Sequence, residues 1–405
     1  MKFAAVGRIG LRSHRQTTVN GLSRFYSSAF TMRDSLMKSA ISSLDIGVAF
    51  EREEEAVHMA FQSASKSTVA WVDGEDEVSA EVDPFALVAA DVRKLNKNVK
   101  DLLGSDHPVL STVAQYFFDS ESQGGKKIRP TMVLLTSQAC SPENVVTPAQ
   151  VRLAEITEMI HTASLLHDDV IDSSETRRGR ASVNQLFGNK LAILAGDFLL
   201  ARSSVCLARL RNVEVIELLA TVIEHLVKGE VMQMKNLLKN RDLNAFDYYM
   251  RKNYYKTGSL MANSCRATAA LEGHSLEMQQ IVFDYGRACG AAFQLVDDML
   301  DFTSNEADLG KPVLNDLRQG LSTAPVLFAY EAFPRIYKLA ERNYEAPGDL
   351  EEAFKYVQQS DGLERTRDLA LQYSNAAVAA ALKLEKTVAR DGMVNLARKI
   401  TRPIL

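Results

Sequence analysis

The chain has 405 residues, of which 46% are hydrophobic and 24% are charged, and its formal net charge is −4. That length allows one large or two average domains, and the composition is ordinary for a soluble globular protein. The weakly acidic balance argues against bulk electrostatic binding, so no nucleic-acid partner is expected. No run of 18 uncharged apolar residues occurs, so a membrane-spanning helix is not predicted.

The N-terminal segment differs in composition from the rest of the chain. Residues 1–33 contain six basic residues and frequent serine and threonine, and no acid occurs before Asp34. This composition is typical of an organelle transit peptide, and the stretch 24–28 resembles a mitochondrial processing site. We therefore predict a mitochondrial transit peptide over 1–33 and a flexible lead-in over 34–82. A plastid signal and a basic tail without a targeting role are the alternatives.

The remainder, 83–405, is predicted to be one helical domain. Asp83 before Pro84 is typical of a helix N-terminus. Strand-like alternation is nearly absent, and Gly and Pro mostly punctuate segment ends. Apolar residues recur three and four positions apart over 149–172, 190–209, 213–238, 276–301 and 364–385. The pattern predicts an all-α bundle of about ten or more helices.

Two aspartate clusters of the form D-D-x-x-D lie in these apolar stretches, at 168–172 and 297–301. Residues four apart on a helix share one face. Mg²⁺ takes oxygen ligands and shares its shell with substrate phosphates, so such carboxylate pairs suit it. Asp169 turns aside and is expected to support a ligand or a neighbour. Across a cavity between antiparallel helices, the clusters would hold metals and a diphosphate through Asp168, Asp172, Asp297 and Asp301.

Basic residues near the clusters suggest phosphate binding, because guanidinium groups can take phosphate oxygens that metals leave open. Arg177 and Arg178 follow the first cluster, and Lys311 lies in a turn after the second. The motif Gly-Gly-Lys-Lys-Ile-Arg-Pro at 124–130 offers Lys126 and Arg129. Surface ion pairing is the alternative reading of these residues.

Three further polar residues are candidates for the same cavity. His161 lies about two turns before Asp168, and Lys256 and Thr257 are adjacent basic and polar residues. A lone histidine on an apolar helix is more often a hydrogen-bonded core residue than a ligand. The phosphate-rich surroundings favour the functional reading of His161.

Taken together, these motifs resemble the trans-isoprenyl diphosphate synthase family over residues 84–400. Within that family the chain is similar to mitochondrial long-chain polyprenyl diphosphate synthases, and the stretch 158–167 resembles them most. The resemblance implies an isoprenoid-synthase-type helical bundle around a central active-site cavity. It also implies sequential Mg²⁺-dependent condensation of isopentenyl diphosphate onto farnesyl or geranylgeranyl diphosphate, with Mn²⁺ as an alternative ion. The product would be a long all-trans chain for ubiquinone.

The resemblance further implies individual roles. Asp168 and Asp172 would bind the metal on the allylic diphosphate, with Asp297 completing the set and Asp298 and Asp301 supporting it. Thr257 and Gln294 would also stabilise an allylic cation. Residues that would hold the allylic diphosphate are Arg177, Lys256, Thr257, Gln294 and Lys311. Those that would hold isopentenyl diphosphate are Lys126, Arg129, His161 and Arg178.

Product length is expected to depend on residues four and five before Asp168. These are Ser164 and Ala163, whose small side chains leave room for a long chain, from hexaprenyl to decaprenyl. Small residues that merely allow close helix packing are the alternative.

Other functions were weighed against this hypothesis. A shorter-chain, geranylgeranyl-type synthase and a subunit of a heteromeric synthase stay open. A class I terpene cyclase normally lacks a second aspartate cluster, and non-catalytic subunits tend to have degraded metal motifs. A helical binding protein would leave buried acids unpaired. Partners expected from the resemblance are a second copy of the chain or a paralogous subunit. The expected location is the mitochondrial matrix, with peripheral inner-membrane contact.

Overall fold

A computed structural model describes residues 78–79, 82–102, 108–110, 112–113, 116, 127–177, 179–234, 245–303 and 314–404. All of them belong to one compact unit, Ser63–Leu405. The predicted transit peptide lies outside the described residues, and so does the predicted lead-in, apart from three residues at its end.

The described residues are almost entirely helical. In chain order the first helices are α1 Pro84–Leu102, α2 Ile128–Cys140 and α3 Pro148–Ile171. A two-stranded hairpin follows, β1 Thr176–Arg177 and β2 Arg180–Ala181. The chain continues through α4 Val183–Phe187, α5 Asn189–Arg209, α6 Val213–Gln233, α7 Ala245–Asn253, a π-helical turn Tyr254–Gly258, α8 Ser259–Leu271 and α9 Leu276–Thr303. The remaining helices are α10 Asn315–Arg318, α11 Ala324–Ala332, α12 Ile336–Glu341, α13 Asp349–Gln359, α14 Gly362–Ala381 and α15 Val388–Thr401, before a 3-10 turn Arg402–Ile404.

The predicted helices are confirmed to within a few residues at their ends, except that the predicted end at 238 lies outside the described residues. Helix α3 begins after a capping box, in which the Thr147 side chain accepts from the Gln150 amide and Gln150 accepts from the Thr147 amide. Helix α6 begins after Asn212, whose side chain accepts from the Val215 amide. These caps satisfy amides that the first helical turn leaves without intrahelical partners.

Contacts with the folded helices begin slightly before the predicted domain start. Asp83 caps α1, because its side chain accepts from the Phe85 amide at 2.9 Å. The Ser79 amide donates to Asp391 on α15, and Asn395 donates to the carbonyls of Ser79 and Val82, each at 2.9 Å. Ser79 and Val82 are therefore held against α15 through their backbone groups.

The long apolar helices form one core. Helix α9 packs along α14 and α8, and α3 packs along α5 and α2. Many of the core side chains are fully buried, among them Tyr285, Met159 and Leu134. This burial on several sides explains why the helical stretches carry few polar positions.

Among the described helices, α5 is long and apolar enough to cross a membrane, by length and composition alone. The sequence did not predict a helix of this kind, because Lys190, Asp197 and Arg202 interrupt its apolar residues. One face of α5 packs against α3, while Ile193 and Leu194 on another face are exposed.

Glycine lets α9 approach the π-helical turn closely. A Cβ atom added at Gly290 would lie 2.6 Å from the Cα of Gly258, and a real Cβ cannot come so near a backbone atom. The absence of a side chain at Gly290 therefore sets the distance between α9 and the turn that carries Lys256 and Thr257.

We expect Gly290→Ala to destabilise the protein by about 1–3 kcal/mol, because the added methyl overpacks a backbone contact. Activity per folded molecule should also fall, since the turn must move. Urea unfolding and a rate assay measure the two effects. Gly273→Ala is the control: it strains a residue at φ 70° with open space around it, so it should lower stability alone. Unchanged activity in Gly290→Ala would contradict this reading.

Candidate active site

The first aspartate cluster lies at the C-terminal end of α3. Asp168 is in the last turn, and the amide of Asp172 donates to the Asp168 carbonyl at 2.8 Å. Asp169 points away into the protein, where its side chain is 1% exposed. Asp168 and Asp172 are only partly buried. The helix thus leaves two carboxylates partly exposed and buries the third.

Asp169 binds Arg177, one of the predicted diphosphate ligands. The Arg177 Nε donates to both Asp169 oxygens, at 3.0 and 2.9 Å, and Nη2 donates at 2.7 Å. The hairpin makes this possible, because Gly179 with φ 74° turns the chain back beside α3. A bidentate pair fixes the guanidinium beside the other two carboxylates. Burial raises the pKa values of Asp168 and Asp172, and the positive charge of Arg177 partly opposes that rise. Arg178 lies outside the described residues.

Lys256 lies opposite, on the π-helical turn. Its ammonium is 2.7 Å from a carboxylate oxygen of Glu230 on α6. Helix α6 comes close to the π-helical turn because Gly229 has no side chain. A Cβ atom at Gly229 would lie 3.0 Å from the backbone nitrogen of Lys256. Sequence reasoning missed Glu230. The signal was a Gly-Glu pair inside an apolar helix, which is weak by itself.

Electrostatics tie these groups into one cluster. Burial raises the pKa of Asp168 to about 7, an effect that Lys256 opposes and that Glu230 and Asp172 reinforce. Burial also raises the pKa of Asp172, with the same opposition from Lys256. For Lys256, burial lowers the pKa, but Asp168 and Glu230 outweigh it, so the net pKa is raised. Three acids therefore share one lysine in a partly desolvated space.

A second polar chain leads from the same turn into the core. The Thr257 hydroxyl donates to Gln294 Oε1 at 2.8 Å, and Gln294 Nε2 donates to Asp298 Oδ1 at 2.9 Å. The Tyr249 hydroxyl donates to the other Asp298 oxygen. Lys252 is buried nearby, with its ammonium 5.6 Å from the Tyr249 ring centroid. The structure thus joins the predicted pair Thr257 and Gln294, and adds Tyr249, which sequence reasoning missed because an aromatic in a helix reads as core.

The aspartates of the second cluster have different surroundings. Asp298 is 2% exposed, and both of its oxygens accept hydrogen bonds. Asp301 is fully buried and accepts from the backbone amides of Asn315 and Asp316, each at 3.1 Å. Asp297 is partly exposed and lines a cavity. Of the second cluster, Asp297 is therefore best placed to meet a ligand, and direct metal binding by Asp301 stays a prediction.

Two residues predicted to hold isopentenyl diphosphate are in contact. Arg129 Nη1 lies 3.1 Å from His161 Nε2, across the α2–α3 interface. Lys127 turns inward at φ 47° and donates to the buried Glu158 at 2.7 Å. Lys127 is thereby committed to a structural ion pair, which leaves its neighbour Lys126 as the ligand candidate in that motif. Lys126 and Lys311 lie outside the described residues.

A cavity of about 470 Å³ is lined by residues of α1, α2, α9 and α15, among them Ile128, the neighbour of Arg129 in sequence. Its walls are mostly apolar, and Asp297, Lys399 and Arg402 bring charge to it. Apolar residues that line it are Phe85, Ile128, Phe293, Val296, Leu300, Leu396, Ile400 and Pro403. Such a space suits a small ligand with an apolar body and a charged head.

The two residues predicted to set product length lie one turn below Asp168. Ala163 is fully buried in the core, and Ser164 is partly buried with its hydroxyl donating to the His161 carbonyl at 2.9 Å. Both side chains are as small as the prediction requires. Their effect on product length stays a prediction.

The donor set fits a hard divalent cation in part. Asp168 and Asp172 offer carboxylate oxygens one helical turn apart, as Mg²⁺ prefers when it keeps waters and substrate phosphates in its shell. Within the described part of the chain, no three metal-ligating side chains come together as one cluster.

Comparison with known proteins identifies the family of this chain. The sequence profile of the polyprenyl synthetase family matches residues 107–359, more than half of the chain. Rice mitochondrial solanesyl-diphosphate synthase 1 is 45% identical over 322 residues, covering 76% of this chain and 74% of that protein. A probable mitochondrial hexaprenyl pyrophosphate synthase from Yarrowia lipolytica is 44% identical, covering 78% and 84%.

Solved structures share the fold. Decaprenyl diphosphate synthase from Rhodobacter capsulatus superposes with a TM-score of 0.72 at 32% identity, over 80% of this chain and 98% of that one. A polyprenyl synthase from Caulobacter crescentus, complexed with calcium and isoprenyl diphosphate, has a TM-score of 0.72 at 29% identity, with the same coverage.

The helical bundle and its family match are those of a prenyltransferase of the isoprenoid-synthase type. The chain belongs to the polyprenyl synthetase family. The predictions of an all-α fold, a trans-prenyltransferase that makes long-chain polyprenyl diphosphates, and a mitochondrial location are confirmed. A role in ubiquinone biosynthesis fits the same relatives.

The raised pKa of Asp168 predicts a pH-dependent effect of metal. A carboxyl whose folded pKa lies near 7, against an ordinary 3.8, stabilises the metal-free fold most at low pH. That stability is lost as pH rises towards 7. A divalent ion needs the ionised form, so its affinity should fall roughly tenfold per pH unit below 7.

Mg²⁺ should therefore raise the melting temperature more at pH 8 than at pH 6, as differential scanning fluorimetry can measure. Asp168→Asn removes the titrating group and should make the Mg²⁺ shift small at both pH values. Equal shifts in the unmodified protein at pH 6 and pH 8 would refute the argument.

Proposed function

We propose that the enzyme extends farnesyl or geranylgeranyl diphosphate by sequential head-to-tail addition of isopentenyl diphosphate, with Mg²⁺ as its metal and Mn²⁺ as an alternative. The observation that carries this proposal is the joint cluster of Asp168, Asp172 and Lys256. It places two carboxylates for a metal opposite an ammonium for phosphate oxygens. A second site beside Arg129 and His161 supports a reaction of two diphosphates rather than one.

The allylic diphosphate would lie between α3 and the π-helical turn. Lys256 would bind its oxygens on one side, and Arg177, held by Asp169, would bind them on the other. When bound by Asp168, Asp172 and Asp297, Mg²⁺ supplies positive charge that stabilises the diphosphate as the C–O bond breaks. Lys311 adds a further cation, and Glu230 keeps Lys256 in place until the substrate arrives.

Isopentenyl diphosphate would bind in the neighbouring site. Arg129, His161, Lys126 and Arg178 would hold its diphosphate, and the apolar walls of the 470 Å³ cavity suit its five-carbon body. Its double bond attacks the allylic cation, and a proton then leaves to the departed diphosphate. Because that diphosphate accepts the proton, no separate side-chain base is needed. The Thr257 and Gln294 oxygens would stabilise the cation.

Asp168→Ala should reduce condensation to below about a hundredth of the normal rate, because the metal loses a ligand on the leaving group. Purified protein with Mg²⁺, farnesyl diphosphate and labelled isopentenyl diphosphate provides the assay. Asp368→Ala, an exposed aspartate on α14, is the matched control and should retain full activity. Near-normal turnover by Asp168→Ala would exclude this site.

Ala163→Phe should shorten the product, because a bulky ring one turn below the first cluster closes the path of the growing chain. Product sizing by reverse-phase chromatography measures this independently of how much enzyme folds, since only the length distribution is scored. Ala163→Val, with a smaller added volume, should shorten the product less or not at all. An unchanged distribution in Ala163→Phe would place the floor elsewhere.

The exact product within the hexaprenyl to decaprenyl range is decided by the same chromatography. The small side chains of Ala163 and Ser164 favour the long range. In vivo, we propose that the product supplies the ubiquinone side chain, from a matrix enzyme in peripheral contact with the inner membrane.

We further propose that the enzyme works as an oligomer, either a homodimer or a heteromer with a paralogous subunit. Several large apolar side chains on α5 and α6 are exposed, and exposed apolar surface is typical of a subunit interface. They include Ile193, Leu194, Val205, Val227 and Val231. Light scattering of the purified chain separates the alternatives, because only a homo-oligomer forms from this chain alone.

A further inference from the structure

A continuous row of four polar side chains links the buried core to the proposed allylic site. Tyr249 on α7 donates to Asp298, Gln294 donates to Asp298, and Thr257 on the π-helical turn donates to Gln294. The row begins at Tyr249, a fully buried residue, and ends at Thr257, a residue that is 7% exposed. It crosses three elements, so it couples α7 to the turn through α9.

The chemistry of the groups fixes the direction of every hydrogen bond in the row. Burial, reinforced by Asp298, raises the pKa of Tyr249 well above its ordinary value, so the phenol keeps its proton and donates. A carboxylate only accepts, so the Gln294 amide must turn its NH₂ group to Asp298 and its oxygen to Thr257. Thr257 must then donate its single proton to that oxygen.

The row therefore determines what Thr257 presents to the substrate. With its proton committed to Gln294 Oε1 at 2.8 Å, the hydroxyl can offer only lone pairs on its other side. Lone pairs stabilise a developing allylic cation, whereas an O–H directed at the cation would oppose it. If the amide were reversed, the Thr257 hydroxyl would be released to point its proton at the reacting carbon.

We infer that Tyr249 is a positioning residue for the condensation, which acts through Asp298 and Gln294 to orient the lone pairs of Thr257 towards the allylic cation. The inference rests on the proposed function, since it requires the cation to form beside Thr257. It assigns to the second aspartate cluster a role apart from metal binding, because Asp298 uses both oxygens within the row.

Tyr249→Phe tests this, since it keeps the ring and removes only the donor. We expect the single-turnover rate of the first condensation to fall about tenfold, while KM for both diphosphates stays within about twofold. Single turnover is the proper measurement, because release of a large apolar product can limit the steady-state rate.

Tyr285→Phe is the matched control. Tyr285 is equally buried, and its hydroxyl donates to the Met393 carbonyl at 2.9 Å, away from the polar row. It should lose melting temperature to a similar extent and keep the normal single-turnover rate. Equal rate losses in both phenylalanine variants would reduce Tyr249 to a stabilising residue and overturn the inference.

A double-mutant cycle with Thr257→Val shows whether Tyr249 acts through Thr257. Thr257→Val should slow condensation, and the double variant should be no slower than Thr257→Val alone. Additive losses would overturn the inference. Should Tyr249→Phe fail to fold, Asp298→Asn enters the same cycle, because its amide can donate to Gln294 and release the Thr257 proton.

The failures are distinguishable. Absence of condensation by the unmodified enzyme would remove the proposed function itself. A normal rate in Thr257→Val would remove the cation role of Thr257, and the inference with it, while leaving the metal site intact. A slow Thr257→Val with a normal Tyr249→Phe would overturn only the positioning role.

Discussion

Several carboxylates lie close together in one partly desolvated space, and the helices around them must keep them there. Asp168, Asp172 and Glu230 all act on the same ammonium of Lys256, and burial disfavours the charge on both aspartates. Such an arrangement is costly until a cation and a diphosphate compensate it. The surrounding helices must hold these groups together against their repulsion, which a rigid bundle with a large core can do.

The π-helical turn is where that rigidity meets the chemistry. An extra residue in one helical turn rotates the side chains that follow, and such turns are frequent at functional sites. Here Tyr254–Gly258 directs Lys256 to Glu230 and Thr257 to Gln294. The backbones of two glycines, Gly229 on α6 and Gly290 on α9, lie close to the turn. The irregular turn is therefore clamped from α6 and α9, and its two functional side chains face different partners.

The two aspartate clusters share a sequence pattern but have different environments. In the first, one aspartate is buried in a bidentate pair with Arg177, and the other two are partly exposed and interact with Lys256. In the second, Asp298 and Asp301 are buried and occupied by protein donors, and Asp297 alone of the three lines the described cavity. One end of the site thus offers a pair of carboxylates and the other a single one.

By itself, the sequence determined the helical class, the extents of the long helices and the faces of the first aspartate cluster. These follow from local periodicity and from the 100° turn per residue, which hold in any helix. The family motifs also identified Arg129, His161, Thr257 and Gln294 as functional candidates. Four contacts became visible only in the folded chain. Asp169 binds Arg177, and Glu158 forms an ion pair with Lys127. Glu230 contacts Lys256, and Tyr249 donates to Asp298. Those contacts join residues distant in sequence or depend on a hairpin and a π-helical turn, and long-range packing sets them rather than any local pattern.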